Sequence, residues 1–254
     1  MKYLLLISFI LLITKQMSGQ NKEYIIIGGT TTVTLLTKDS IWMAADSRET
    51  SVENKKIVGA RLHLKIIVCN NIFFTVTGSW GTIRDDKKVV RFDAKKIIIN
   101  TIDKYKNFDS SFDNSGKTIS EELNALWKDM PDDLKEELKG NLNGKLVEVM
   151  MVCNDRGLFY KAFDIGLVLN NGVYEFVSIA KPLFVNNIYM TGFSKEIHKV
   201  IDSPDFAFDI ERIKETLVEL IELEVKANPD KVGGTVDVVN IYKNGYKWLT
   251  KNVY

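Results

Sequence analysis

Apolar positions along this chain follow two different periods, and each period predicts a different kind of element. Runs rich in β-branched and aromatic residues, bounded by turn-forming residues, are typical of strands. Asn70-Asn71 and Asn244-Gly245 predict hairpin turns between such runs. The predicted strands are residues 24–37, 41–46, 64–68, 72–77, 146–153, 158–163, 172–179, 187–191, 235–242 and 246–249.

Three other stretches carry apolar residues at helical spacing. The order of elements is strands, two helices, strands, a final helix and strands, without a repeat or a linker. This order predicts one α+β domain in which helices cover hairpin-paired sheets. The helical stripes consist of Ile83, Val90, Ile97 and Ile98; of Leu123, Leu126, Leu134 and Leu138, interrupted at Pro131; and of Ile210, Ile213, Leu217, Leu220 and Ile221.

Composition narrows the class of protein. The chain has 254 residues, of which 45% are apolar, so it is long and apolar enough to bury a core and is not intrinsically disordered. Its 34 Lys and Arg residues nearly balance 33 Asp and Glu residues. A nucleic-acid binder needs a basic excess, so we expect no nucleic-acid partner.

The first 19 residues have the pattern of a secretory signal peptide. Lys2 precedes an apolar run at 3–13, and Ser18 and Gly19 are small residues suited to a cleavage site. The run is shorter than the ~20 residues that a membrane span needs. We therefore expect export to the periplasm or the medium, with an uncleaved anchor as the alternative.

The segment that carries chemistry begins at Gly28-Gly29-Thr30-Thr31-Thr32-Val33. It continues with Ala44-Ala45-Asp46-Ser47-Arg48, a lysine at Lys65 and a glycine at Gly78. Over residues 28–80 this ordered set resembles a proteasome β-subunit, a member of the N-terminal-nucleophile (Ntn) hydrolases. The resemblance implies a four-layer αββα sandwich, the Ntn hydrolase fold, and a threonine-type peptidase. It also implies autocatalytic cleavage at the Gly29–Thr30 bond, with residues 20–29 as a propeptide and residues 30–254 as the single domain.

The resemblance gives catalytic roles to Thr30, Asp46 and Lys65. A threonine hydroxyl is a weak nucleophile, and the α-amine of a chain that begins at Thr30, with a pKa of about 8, can accept its proton. Lys65 would lower the pKa of the hydroxyl by its charge, and Asp46 would keep Lys65 charged and oriented. The backbone N–H of Gly78 would donate to the developing oxyanion.

Four further residues take supporting positions by the same resemblance. Ser47 and Arg48 follow Asp46 in its motif, and Thr191 stands where the family has a serine before a glycine. In the segment 228–234, Asp230 lies one residue beyond the family's aspartate position, and Val232 replaces its serine.

The same analogy places Glu49, His63, Val76 and Trp80 around the pocket for the residue before the scissile bond. Trp80 is large where the family often has a small residue, which predicts a narrowed pocket.

Together these observations predict an exported threonine amidohydrolase that cuts peptide bonds through an acyl-enzyme, without a cofactor or a metal. One alternative is a secreted, non-catalytic domain of the same fold that serves binding or assembly. Another is a hydrolase of non-peptide amides, since the same nucleophile chemistry serves several amide classes. Proteasome relatives assemble into rings, so a homo-oligomer is an expectation of the resemblance.

Overall fold

The computed structural model describes residues 24–53, 56–79, 81–84, 89–130, 132–140 and 144–252. The signal segment 1–19, the first part of the expected propeptide and Trp80 lie outside these residues. The described strands are β1 (Tyr24–Gly28), β2 (Thr31–Leu36), β3 (Ser40–Asp46), β4 (Arg48–Glu53), β5 (Lys56–Leu62), β6 (Ile67–Cys69), β7 (Ile72–Gly78), β8 (Gly81–Arg84), β9 (Val89–Asp93), β10 (Lys145–Cys153), β11 (Phe159–Asn170), β12 (Val173–Lys181), β13 (Asn187–Gly192), β14 (Val236–Tyr242) and β15 (Gly245–Thr250).

The first two described helices begin after residues whose side chains accept from a free backbone N–H of the first turn. Asp93 accepts a hydrogen bond from the Lys96 backbone N–H at 3.0 Å, and Asn107 accepts one from the Ser110 N–H at 2.8 Å. Such caps fix where a helix starts. The helices are α1 (Ala94–Tyr105), α2 (Phe108–Trp127), α3 (Asp132–Gly140), α4 (Lys195–Ile201) and α5 (Ile213–Ala227), with a 3₁₀ turn at Ile210–Arg212.

The strands form three five-stranded antiparallel sheets. Sheet I has the order β5-β4-β1-β8-β9, sheet II the order β12-β11-β10-β7-β6 and sheet III the order β13-β2-β3-β14-β15. β1 is the central strand of sheet I, and β2, which follows it along the chain, lies in sheet III. Residues 28–31 therefore join two sheets.

Sheets II and III share an apolar cluster, and helices pack on their other faces. Strand alternation explains the division, since neighbouring side chains of a strand point to opposite faces. Phe73 belongs to the cluster between the two sheets, and Phe74 belongs to the cluster beneath α1 and α2. In sheet III, Leu36 joins the first of these clusters, whereas Val33 packs with α4 and α5.

The prediction of a four-layer αββα sandwich is wrong. The chain is mostly antiparallel β-structure in three sheets, and sheet I has no place in a four-layer arrangement. Sheet I contains β4 and β5, which the sequence analysis did not predict. It also contains the residues Ile83 and Val90, which were assigned to a helix but lie in β8 and β9.

The predicted strand 24–37 is divided at its two glycines. Gly29 has a φ of +77°, a left-handed conformation that glycine adopts without strain. A Cβ at this position would lie 2.9 Å from the backbone oxygen of Lys231, so a side chain has no room. The chain therefore turns at Gly29 from β1 of sheet I into β2 of sheet III.

Among the described residues, no helix combines the length and the hydropathy that crossing a bilayer requires.

Candidate active site

Thr30 lies at the junction between sheets I and III and is fully buried. Its hydroxyl donates a hydrogen bond to the carbonyl oxygen of Gly29, the residue before it. The Lys65 ammonium donates to the same oxygen at 3.4 Å. Among the described residues, these are the side-chain donors to the carbonyl at which cleavage was predicted.

Asp46, at the end of β3, holds the backbone that follows Thr30. Its Oδ1 accepts from the Thr31 N–H at 2.8 Å, and its Oδ2 accepts from the Gly233 N–H at 2.9 Å and the Arg48 N–H at 3.2 Å. Burial raises the pKa of this carboxyl to about 6, although the amide donors and the charge of Lys65 act in the opposite direction. Asp46 therefore fixes the position of Thr31 as well as facing Lys65.

Lys65 is buried completely, directly before the short strand β6. Removal from water lowers the pKa of its ammonium to about 7, because burial disfavours the charged form. The positive charge of Lys95 contributes to this lowering, whereas the negative charges of Asp46 and Glu49 oppose it. Lys65 is thus poised to exchange a proton near neutral pH.

Glu49 and Lys95 form a buried ion pair close to Lys65. Their exposed fractions are 2% and 6%, and the Lys95 Nζ lies 3.6 Å from the Glu49 Oε2. The other carboxylate oxygen of Glu49 accepts from the Arg61 Nε at 2.5 Å. Burial lowers the pKa of Lys95 to about 8, and Glu49 opposes that shift. Glu49 therefore lies between the buried Lys95 and the exposed Arg61, two cations that also lower the pKa of Lys65.

A corner at Gly192-Phe193, after β13, closes on the Thr30-Thr31 backbone. The Phe193 N–H donates to the Thr30 carbonyl oxygen at 3.1 Å. The Thr31 hydroxyl donates to the Phe193 carbonyl oxygen at 2.7 Å. Thr191, the predicted supporting hydroxyl, is buried and makes a 2.6 Å hydrogen bond with the hydroxyl of Thr32.

The segment 228–234 approaches the site mainly through its backbone. The Ser47 N–H donates to the Gly233 carbonyl oxygen at 3.1 Å, and the Arg48 guanidinium donates to the Pro229 carbonyl. Asp230 is exposed, and Val232, which stands in the family's serine position, is fully buried. The Gly233 amide is the group of this segment that contacts Asp46.

The predicted pocket residues Val76 and His63 have different surroundings in the structure. Val76 is buried in the apolar cluster beneath α1 and α2. His63 is half-buried, with its Nδ1 2.7 Å from the Leu64 carbonyl oxygen, and burial lowers its pKa. Gly78, the predicted oxyanion donor, is the last residue of β7 and has a φ of +81°. Its carbonyl oxygen lies close to Gly28. Trp80 lies outside the described residues, so the narrowed pocket stays a prediction.

Sequence reasoning missed two charged residues near the site. Lys95 stands in the first turn of α1 ahead of an isoleucine run, and nothing in its sequence context distinguishes it from an exposed lysine. Glu148 is a single acidic residue inside the apolar strand β10, which is a recognisable signal, because a carboxylate is costly to bury without partners.

Groups of three or more His, Cys, Asp or Glu residues placed to hold a metal ion do not occur in the described part of the chain.

No protein-family model matches the sequence, and no curated protein matches it. Among solved structures, the chain is similar to the Gly-1 mutant of Anbu from Hyphomicrobium sp. strain MC1. The identity is 13%, the TM-score is 0.47, and 87% of each chain is covered. Anbu is a bacterial relative of the proteasome. A similarity at this level does not indicate a function for this chain.

Proposed function

We propose that this protein is an exported threonine-nucleophile amidohydrolase, a peptidase that becomes active when its Gly29–Thr30 bond is cut. The observation that carries the proposal is the pair of donors on the Gly29 carbonyl oxygen, Thr30 and Lys65. Once Lys65 has taken the proton of Thr30, its ammonium can donate to this oxygen and stabilise the negative charge that develops there during attack. The hydroxyl of Thr30 is already within hydrogen-bonding reach of the group that it would attack.

The reaction needs a base before the new amino terminus exists. Thr30 Oγ1 attacks the Gly29 carbonyl carbon, and its proton passes to the neutral form of Lys65. The C–N bond between Gly29 and Thr30 then breaks as the nitrogen takes that proton, which leaves an ester at Oγ1. Water hydrolyses this ester to a Gly29 carboxylate and frees the Thr30 hydroxyl and α-amine. Before the C–N bond breaks, the Thr30 nitrogen is an amide and cannot serve as the base. The first proton transfer is therefore assigned to Lys65.

Later turnovers use the amine that this first cut releases. A free α-amine with a pKa of about 8 can take the hydroxyl proton near neutral pH. Lys65 then serves as the neighbouring cation, and Asp46 holds the Thr31 amide in place. The same nucleophile can attack a substrate carbonyl and form an acyl-enzyme.

The surroundings of β1 favour peptides over other amides as substrates. β1 is an extended segment that pairs in antiparallel fashion with β4 on one side and β8 on the other. It leads directly to the Gly29 carbonyl. A cleft that accepts this stretch of backbone between two strands has the shape and the hydrogen-bonding groups for an extended peptide.

A second candidate function is a non-catalytic role in binding or assembly. The observation that favours it is the same pairing, because β1 fills the centre of sheet I and Thr30 is fully buried in the uncut chain. A chain that keeps this arrangement permanently presents no nucleophile to a substrate.

Intact mass and amino-terminal sequencing of the full chain during cell-free synthesis test the proposal. We expect a chain that begins at Thr30, formed at a first-order rate that does not depend on protein concentration. Thr30→Ala is expected to stay uncut, and Thr30→Ser to be cut, because serine keeps the hydroxyl. Thr30→Ala cut at the wild-type rate would eliminate Thr30 as the nucleophile. A wild-type chain that stays uncut would favour the second candidate.

Export and self-association are further parts of the proposal. Residues 1–19 supply the signal, and a cell fractionation experiment with and without them would test export. Gel filtration with light scattering of the cut chain would test the expected homo-oligomer.

A further inference from the structure

Glu148 is a carboxylate set inside the structure between two sheets. It lies in the middle of β10 in sheet II and is 7% exposed. Met150, two residues on, belongs to the apolar cluster between sheets II and III. Side chains two apart on a strand share a face, so Glu148 points toward sheet III. A charge in this position requires partners.

The two oxygens of Glu148 have different partners. Its Oε2 accepts from the Gly192 backbone N–H at 2.7 Å, across the gap to sheet III. Its Oε1 lies 3.0 Å from the Nζ of Lys145 and 3.6 Å from the Nζ of Lys181. Asp164 lies 3.6 Å and 3.4 Å from the same two lysines. Two carboxylates thus balance two ammonium groups, and one carboxylate oxygen remains for Gly192.

Gly192 is in direct contact with Thr30. Its φ is +79°, and a Cβ added there would collide with the Thr30 carbonyl oxygen. The next residue, Phe193, donates its N–H to that same oxygen and accepts from the hydroxyl of Thr31. The position of the Gly192-Phe193 corner therefore sets the position of the Thr30 backbone.

We infer that Glu148 is a positioning residue for Thr30, which it orients through the Gly192 N–H. The inference rests on the proposed function, since it concerns the rate at which Thr30 attacks Gly29. Glu148 does not touch the reacting atoms. It ties the corner to a strand of the opposite sheet, so that the Thr30 hydroxyl and the Gly29 carbonyl keep their separation.

Two conservative variants distinguish this role from general stabilisation by charge. Glu148→Gln removes the charge but keeps an oxygen that can accept from Gly192. Glu148→Asp keeps the charge but withdraws the carboxylate by one methylene. Asp164→Asn is the matched control, because Asp164 shares both lysines and does not contact Gly192. The cleavage rate of the full chain is followed by intact mass, and thermal unfolding is measured for each variant in a Thr30→Ala background.

We expect Glu148→Asp to slow cleavage at least about tenfold, since small misplacements of reacting groups have effects of that size or larger. Glu148→Gln and Asp164→Asn are expected within about threefold of wild type, with the pH midpoint of cleavage unchanged. Amide exchange at 190–195 should rise in Glu148→Asp alone.

Slow cleavage in Glu148→Gln together with fast cleavage in Glu148→Asp would overturn the inference, because the charge of Glu148 would then be what matters. Equal slowing in Asp164→Asn, or a wild-type rate in Glu148→Asp, would also overturn it. A wild-type chain that stays uncut would remove the proposed function and this inference together. If the wild-type chain is cut but the variants behave in one of these contrary ways, the inference about Glu148 fails and the proposed function stands.

Discussion

Lys65 and Lys95 are two buried lysines in one cluster that differ in what their ammonium groups face. Their exposed fractions are 0% and 6%. The Lys95 Nζ lies 3.6 Å from a carboxylate oxygen of Glu49, whereas the Lys65 Nζ lies 3.4 Å from the carbonyl oxygen of Gly29. Burial lowers both pKa values, to about 8 for Lys95 and about 7 for Lys65.

Under the proposed function, Lys65 takes part in the reaction and Lys95 adjusts the pKa of Lys65. A carboxylate at close range favours the ammonium form, which opposes the effect of burial on Lys95. Lys65 has a neutral carbonyl as its hydrogen-bond partner and feels the positive charge of Lys95 as well. Lys95 therefore holds its proton more firmly than Lys65, in line with the proposal that Lys65 takes the proton of Thr30.

The largest expected effect comes from Lys65→Arg. Arginine keeps the positive charge but cannot give up its proton, because its pKa lies above 12. We expect the rate of Gly29–Thr30 cleavage to fall about 100-fold or more, the range attributed to general base catalysis. Intact mass over time measures the rate.

The matched control for this variant is Lys95→Arg, which keeps both the charge and a donor for Glu49. It is expected to cut within about threefold of wild type, since its role needs only charge. Wild-type cleavage in Lys65→Arg would mean that Lys65 acts through its charge alone, as the sequence analysis supposed.

Much of the candidate site was predictable from the motif residues and their order along the chain. The resemblance grouped Thr30, Asp46 and Lys65, and in the fold the side chain of each makes a hydrogen bond with the backbone of residues 29–31. Their roles stay predictions. Lys95 could not be found in this way, because its approach to Glu49 depends on how sheet I packs against α1. A sequence pattern encodes neighbours along a strand or helix and carries no direct record of such long-range packing.

The fold was predictable where alternation or helical spacing was strong. Sheet I was missed because β4 has the mixed composition RETSVE, which lacks a run of apolar residues. Ile83 and Val90 are seven residues apart, a spacing that suits a helix, but they belong to two paired strands. β1 and β2 were merged because the turn at Gly29 lies inside one apolar stretch.

Lys95→Met is expected to shift the pH dependence of cleavage. The charge of Lys95 lowers the pKa of Lys65, so its removal raises that pKa, and Glu49, left with fewer cations, acts in the same direction. Cleavage needs neutral Lys65, so we expect the midpoint of the rate profile to rise by roughly half to one pH unit. The rate at pH 7 should fall about three- to tenfold, and the plateau at high pH should remain.

Lys96→Met is the control for this shift, because Lys96 is the exposed neighbour of Lys95 on the same helix. Its midpoint is expected to equal that of wild type. A midpoint in Lys95→Met that stays unchanged or moves to lower pH would show that Lys95 does not tune Lys65.

The smallest expected effect is the difference between Lys65→Met and Lys95→Met in how stability depends on pH, measured by urea unfolding in a Thr30→Ala background that stays uncut. Between the lowered native pKa values and the usual 10.5, the unfolded chain binds more protons than the native chain, so the free energy of unfolding rises with pH. Each lysine contributes a slope of up to about 1.4 kcal/mol per pH unit. Lys65→Met should reduce the rise of the unfolding free energy with pH from about pH 7 upward, and Lys95→Met should reduce it only from about pH 8 upward.

The difference between these two profiles tests whether Lys65 and Lys95 titrate differently. Between pH 7 and 8 the free energies of unfolding of the two variants should diverge by about 1.4 kcal/mol or less, a difference that replicate unfolding curves can detect. Lys96→Met in the same background should leave the slope unchanged, because Lys96 is exposed and its ammonium stays in contact with water in both states. If Lys65→Met and Lys95→Met flatten the profile over the same pH range, the two lysines titrate alike. The assignment of Lys65 as the proton acceptor and Lys95 as its permanent cation would then fail.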